Sequence, residues 1–96
     1  MAELTLLSES PTELRSLIES ALAHESSMIE LGIRQTEHRL QAFDRQFSMQ
    51  TADFLAHYER DQFEETFEFA EWIGECRLLE RLREKMRVLR GIHFAN

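Results

Sequence analysis

The feature that most constrains the fold is the lack of proline after Pro11, in a chain with only 3 glycines. Proline and glycine mark turns, and a many-stranded β fold needs such residues at short intervals. A chain of 96 residues corresponds to one small domain with a modest core. We therefore predict a single all-α domain over 10–96. An N-terminal arm over 1–9 precedes it, in which residues 4–6 are compatible with a short strand, an extended arm or a disordered terminus.

The first long helix is predicted to begin at Pro11 and to end near Phe47. Ser10 can cap this helix, and Glu13 can reach back to complete a capping box. Apolar residues then recur at helical spacing on one stripe. The stripe comprises Leu14, Ile18, Leu22, Ile29, Ile33, Leu40, Phe43 and Phe47. Gly32 interrupts the stripe and costs about 1 kcal/mol of helix stability relative to alanine. Either a close helix crossing or a tolerated surface position would explain a glycine here.

Two further helices are predicted after a turn near Ser48. Thr51 or Ser48 can cap a short helix that carries Phe54, Leu55 and Tyr58. Asp61 and Glu64 repeat the capping pattern, so we favour a break at Asp61 over one continuous helix. The last helix ends at Gly91, which is placed to form a left-handed cap. Its apolar stripe comprises Phe67, Ala70, Ile73, Cys76, Leu79, Leu82, Met86 and Leu89.

These lengths predict an elongated helical hairpin. A helix over 11–47 is roughly 55 Å long, whereas a compact chain of this size has a radius of gyration of about 12–13 Å. Apolar residues also lie outside a two-helix seam, namely Leu17, Met28, Leu31, Phe69, Trp72 and Leu78. A different protein could cover them, but we predict a homodimer that completes a four-helix bundle. The predicted bundle core comprises Ile29, Ile33, Leu40, Leu79, Leu82 and Met86.

Charge is distributed unevenly along the chain. The net charge of −7 argues against general binding to nucleic-acid backbones or anionic membranes, and for either solubility or a basic protein partner. Residues 59–75 contain 7 acidic side chains and 1 basic one, and residues 77–90 contain 6 basic side chains and 2 acidic ones. An acidic start and a basic end stabilise a helix through its dipole. The same asymmetry also suits an acidic end that meets a basic partner.

The stretch FEETFEFAEW, at residues 63–72, is both apolar and acidic. If it is helical, Phe63, Phe67 and Ala70 share one face, and Phe69 lies on the neighbouring flank. The stretch is then either the edge of a core beside a solvated face, or a recognition surface of aromatic anchors with a charged rim. The partner-binding residues predicted for the second interpretation are Phe67, Trp72, Glu64, Glu65, Glu68 and Glu71.

Metal binding is a weaker alternative. Asp53, His57 and Asp61 follow one another at intervals of four residues, so on an unbroken helix they would share a face and could hold a metal. The four histidines supply no Glu-x-x-His pair of the kind found in di-iron bundles. A helical metal- or small-ligand-binding protein and a structural adaptor are therefore kept as alternative functions, and we predict no metal and no cofactor.

Catalysis and secretion are not indicated. Cys76 lies on the apolar stripe and is interpreted as a small core residue rather than a nucleophile. The sequence has no phosphate loop, zinc-ligand spacing or nucleophile elbow. A lone cysteine forms no internal disulfide, and the first residues lack the pattern of a signal peptide. We predict a cytoplasmic protein that is not an enzyme.

Three stretches of the chain are ELGIRQTEHRLQAFDRQFSMQTADFLAHY, FEFAEWIGE and LLERLREKMRVLRGI. They are similar to short helical antitoxins, which bacteria and archaea encode beside small toxin-like genes. The resemblance covers residues 13–92. It implies a protein that binds and neutralises a cognate toxin, often a nuclease. We therefore predict a non-catalytic, acidic, helical protein-binding module, with an antitoxin as its most concrete form.

Overall fold

The computed structural model describes residues 2–95 and contains three helices: α1 (Pro11–Phe47), α2 (Thr51–Glu59) and α3 (Phe67–Arg90). Met1 is the first residue of the predicted arm and Asn96 is the last residue of the predicted domain. Both lie outside the described residues. The predicted all-α class is confirmed, since residues 2–95 contain no strand, and the short strand considered at 4–6 does not form.

The hairpin is elongated, as its helix lengths predict. The radius of gyration is 19.0 Å and the principal extents are 58 × 25 × 18 Å. The long helices α1 and α3 run antiparallel, and α2 packs across one end of them. Within the described part of the chain, no helix has the length and apolar character needed to cross a membrane.

The start of α1 differs in detail from the prediction. Ser10 occupies the N-cap position and Pro11 the first turn, but the Ser10 side chain makes no capping hydrogen bond. The backbone N–H of Ser10 donates to Ser8 Oγ at 3.0 Å. Because Ser8 takes the place that Glu13 would have in a capping box, the box does not form.

The end of α1 is a tight left-handed turn at Ser48. Ser48 has φ 49° and ψ 43°, and Met49 N donates to Asp44 O at 3.1 Å. This is the arrangement in which glycine is the usual residue. The predicted left-handed cap at Gly91 is wrong, because Gly91 has φ −85° and ψ −3°. Its N–H is satisfied instead by Arg87 O and Val88 O.

The predicted break near Asp61 is confirmed, but the helix that follows begins later than expected. Asp61 has φ 57°, which ends the helical path after α2. Thr66 is the N-cap of α3, and its Oγ1 accepts a hydrogen bond from Phe69 N at 3.1 Å. Residues 60–66 therefore form a linker, and Asp61 does not cap α3.

Gly32 marks a close crossing of α1 and α3. A Cβ atom at this position would lie 3.3 Å from Leu82 Cδ1. This contact favours the first of the two explanations for a glycine in the stripe. Around the crossing, Ile29, Leu40, Leu79 and Met86 are buried, and Ile33 and Leu82 are half-buried. The residues predicted for a bundle core thus pack within one chain.

Candidate protein-binding surface

The core is centred on Trp72, which the fold encloses completely. Its ring lies parallel to Phe54 of α2, with a centroid separation of 3.9 Å and an interplanar angle of 1°. The rings of Phe43 and Phe47, near the end of α1, lie 5.4 Å and 5.5 Å from it. Because the relative exposure of Trp72 is 0%, its predicted place among the partner-binding residues is corrected. The helix α2 covers the flank that a two-helix hairpin would have left open.

A chain of hydrogen bonds ties the three helices together at this core. Thr51 Oγ1 donates to Asp44 Oδ1 at 2.6 Å and accepts from Trp72 Nε1 at 3.1 Å. The predicted capping role of Thr51 is not observed, since Gln50 occupies the N-cap of α2 and the cap has no side-chain hydrogen bond. The Thr51 hydroxyl instead satisfies the buried indole N–H.

The stretch FEETFEFAEW is divided between the core and an exposed surface. Phe63 lies in the linker and Phe69 in the first turn of α3, and their rings pack 5.2 Å apart against the aromatic core. Phe63 does not share a helical face with Phe67, because α3 begins only at Phe67. Phe67 itself points away from this core and is 76% exposed.

Four exposed glutamates lie close to Phe67 in the chain. Together with Phe67 they form what is called here the acidic surface, which comprises Glu64, Glu65, Phe67, Glu68 and Glu71. Glu64 and Glu65 lie in the linker, while the other two carboxylates follow Phe67 on α3. Within the described residues, none of the four carboxylates forms an ion pair. The acidic surface therefore presents uncompensated negative charge around one exposed aromatic ring.

Charges farther along α3 are paired with α1. Arg39 Nε lies 2.9 Å from Glu75 Oε2, and Arg83 Nη2 lies 3.4 Å from Glu37 Oε2. These pairs bridge the two long helices beyond the acidic surface. Arg39, Glu75 and Glu71 line one groove between the helices. Gly74 has no side chain to fill this groove.

The structure does not assemble the considered metal ligands. Asp61 lies beyond the end of α2, so it does not continue the helical face of Asp53 and His57. His57 Nδ1 contacts Gln62 Oε1, and its ring meets the edge of Phe63 at 5.7 Å. Between residues 2 and 95, no three His, Cys, Asp or Glu side chains come close enough to hold a metal ion. His57 instead helps to hold the linker against α2.

Cys76 lies in the core at 7% exposure. Burial, together with the negative charges of Glu80, Asp44 and Glu75, raises the pKa of its thiol to about 11. The nucleophilic form of cysteine is the thiolate, which needs an electropositive setting near neutral pH. The surroundings of Cys76 therefore fit a packing role.

Two polar residues have structural roles that the sequence patterns do not predict. Thr36 is fully buried, and its Oγ1 donates to Gly32 O at 2.8 Å and accepts from Arg39 Nη2 at 3.2 Å. Its helical spacing from Ile33 and Leu40 is the signal that could have placed it on the core face. The pairing of Thr51 with Trp72 has no such signal, because 21 residues separate them.

Comparison with known proteins gives no family for this chain. Models of protein families, curated proteins and solved structures all return no match. The resemblance to helical antitoxins therefore stays a prediction.

Proposed function

We propose that this protein is a non-catalytic binding module that captures a basic protein through its acidic surface in the cytoplasm. The observation that carries the proposal is the 76% exposure of Phe67 beside four carboxylates without ion-pair partners in the described part of the chain. Exposed aromatic anchors with a charged rim are typical of recognition surfaces.

The local structure holds this anchor in a defined place. Thr66 caps the turn in which Phe67 stands. Phe63 and Phe69, on either side in sequence, are fixed in the aromatic core. A preorganised surface loses less conformational entropy on binding than a mobile segment does. Its negative charge would speed association with a basic partner and select against acidic ones.

An antitoxin is the most concrete form of this function. A toxin that acts on nucleic acid needs a basic surface to bind phosphates. The acidic surface would occupy that basic surface, so the toxin could not bind its substrate. No catalytic group of the antitoxin is needed for this mechanism, because inhibition follows from occupancy alone.

The test begins with tagged protein purified from its native host and with identification of the proteins that accompany it. Affinity for a basic protein found in this way is then measured by titration calorimetry. Replacing Glu64, Glu65 and Glu68 together by lysine is expected to weaken binding at least 100-fold, because attraction becomes repulsion across the interface. Circular dichroism should retain the helical signal, since all three side chains are exposed.

A matched control reverses the same amount of charge elsewhere. Replacing Glu3, Glu9 and Glu30 by lysine alters three exposed carboxylates outside the acidic surface and should leave the affinity within a few-fold. Phe67→Ala, with the charge unchanged, should weaken binding by about ten-fold or more. Equal affinity of the wild type and the Glu64, Glu65 and Glu68 variant would falsify the proposed surface.

A further inference from the structure

A second face of α1 carries large apolar side chains that remain mostly exposed within the described residues. Leu17, Met28 and Leu31 are 69%, 51% and 44% exposed. Ala21 and His24 lie between them and are exposed, and Leu14 is half-buried. These six residues are called here the outer stripe: Leu14, Leu17, Ala21, His24, Met28 and Leu31. At 100° per residue, the outer stripe lies about a third of a turn from the face that packs on α3.

The spacing of the outer stripe suits a coiled-coil seam. Successive members are separated by 3, 4, 3, 4 and 3 residues, which is the alternation of core positions in a heptad repeat. The series of spacings is the same whether it is read from the N-terminal or from the C-terminal end of the outer stripe. A second copy of α1 can therefore meet the outer stripe in antiparallel orientation with every member matched to another member.

We propose that the protein forms an antiparallel homodimer through this seam. Leu14 then lies opposite Leu31 of the second copy, and Leu17 opposite Met28 of the second copy. At the centre, the small side chain of Ala21 lies opposite the larger His24 of the second copy. Because the interface is two-fold symmetric, each of these contacts occurs twice.

Charge supports a second copy as the occupant and fixes its direction. Glu13 and Arg34 flank the two ends of the outer stripe, and neither forms an ion pair within residues 2–95. Antiparallel pairing brings Glu13 next to Arg34 of the second copy at both ends. Parallel pairing would set each of these residues level with its own counterpart, and the like charges would repel.

The proposed dimer leaves both acidic surfaces free. Its two-fold axis passes near residues 22 and 23, and Phe47 lies roughly 37 Å from it along α1. The two hairpins therefore point in opposite directions, and two acidic surfaces would stand about 70 Å apart. Across the axis only the two α1 helices overlap, because each α3 ends level with about residue 24 of its own α1, in contrast to a bundle closed along its full length. This inference does not depend on the proposed capture of a basic partner.

The assembly state of the full chain tests the proposal. Sedimentation over a concentration series should show a dimer with a dissociation constant in the micromolar range, because the seam involves few large side chains. Replacing Leu17 and Leu31 together by glutamate should make the protein monomeric at about 100 μM. The matched control replaces Leu7 and Val88 by glutamate. Both are exposed apolar residues outside the seam, so this variant should remain dimeric.

Cross-linking tests the direction of the second copy. In a Cys76→Ala background, a mixture of Leu17→Cys and Met28→Cys proteins should form disulfide-linked dimers on mild oxidation. Leu17→Cys alone should not, because antiparallel pairing keeps its two copies apart. Glu13→Arg should weaken the dimer about ten-fold, and adding Arg34→Glu should restore it.

Three results would overturn the proposal. They are a monomeric wild type at about 100 μM, a dimer that survives glutamate at Leu17 and Leu31, and efficient cross-linking of Leu17→Cys alone. Partner binding separates this inference from the proposed function. The monomeric variant should bind a basic partner as tightly per site as the wild type, because its acidic surface is unchanged.

Discussion

The hydroxyl of Thr51, at the start of a short helix, forms hydrogen bonds with residues of both long helices. It joins Asp44 of α1 to Trp72 of α3 through two hydrogen bonds. A buried indole N–H costs free energy when it has no acceptor. This acceptor lets a fully buried tryptophan hold three helices together.

Replacing Thr51 by valine is expected to lower the free energy of unfolding by about 1–3 kcal/mol. Valine has nearly the same shape but leaves the Trp72 N–H unsatisfied. Thr51→Ser is the control, since it keeps the hydroxyl and should cost less than the valine variant. Chemical denaturation followed by circular dichroism measures both variants.

The loss in free energy of unfolding caused by Thr51→Val should be smaller in a Trp72→Phe background, where no indole N–H needs an acceptor. Equal losses in the two backgrounds would show that the hydrogen bond is not the source of the effect. Trp72→Phe itself is expected to destabilise the core, because it leaves space beside Phe54.

Among the helices, the boundaries that local sequence signals predict are those of α1. The start of α1 at Pro11 and its end at Phe47 follow from a proline, a periodic stripe and a turn residue. Asp61 and Glu64 predict a start of α3 that is too early, because they imitate a capping pattern. Thr66, in extended geometry, caps the helix instead, and helical geometry begins at Phe67.

The burial of Trp72 needed information that no local pattern contains. Helical periodicity places Trp72 on the flank beside the hairpin seam, where an isolated pair of helices would leave it exposed. Phe54, from a separate helix, covers it. The burial of Trp72 depends on how α2 and the linker fold back, and this path is set by contacts between residues far apart in the chain.

Two glycines allow helix propensity to be separated from packing. A Cβ at Gly74 would meet no atom within 4 Å, whereas a Cβ at Gly32 would lie 3.3 Å from Leu82 Cδ1. Gly74→Ala should therefore raise the free energy of unfolding by about 0.5–1 kcal/mol. Gly32→Ala should raise the free energy of unfolding by less than Gly74→Ala does, because Leu82 must move to admit the new methyl group.

Thermal and chemical denaturation of the two alanine variants measure this difference. Leu82→Ala provides the control, because it removes the methyl groups that crowd position 32. In that background the two glycine-to-alanine changes should have similar effects. A larger gain at Gly32 than at Gly74 in the wild-type chain would contradict the close crossing.

For the whole molecule, stability should vary along its length. The crossing of Gly32 with Leu82 fixes the register of the hairpin, and the end of α3 at Arg90 then lies level with about residue 24 of α1. The first turns of α1 thus extend beyond α3. Among described contacts there, the Arg15 guanidinium lies 4.9 Å from the ring of Phe94. Segments with few buried contacts open at low free-energy cost.

Hydrogen exchange at backbone amides should report this gradient. At low protein concentration, amides of residues 14–22 are expected to exchange faster than those of 36–44, which pack on the aromatic core. Raising the concentration from about 1 μM to about 100 μM should slow exchange over 14–31 selectively, since mass action favours the dimer that covers this segment. The variant with glutamate at Leu17 and Leu31 should show the gradient without the concentration dependence. Uniform protection along α1 at low concentration would mean that its first turns are held by contacts other than those of the hairpin.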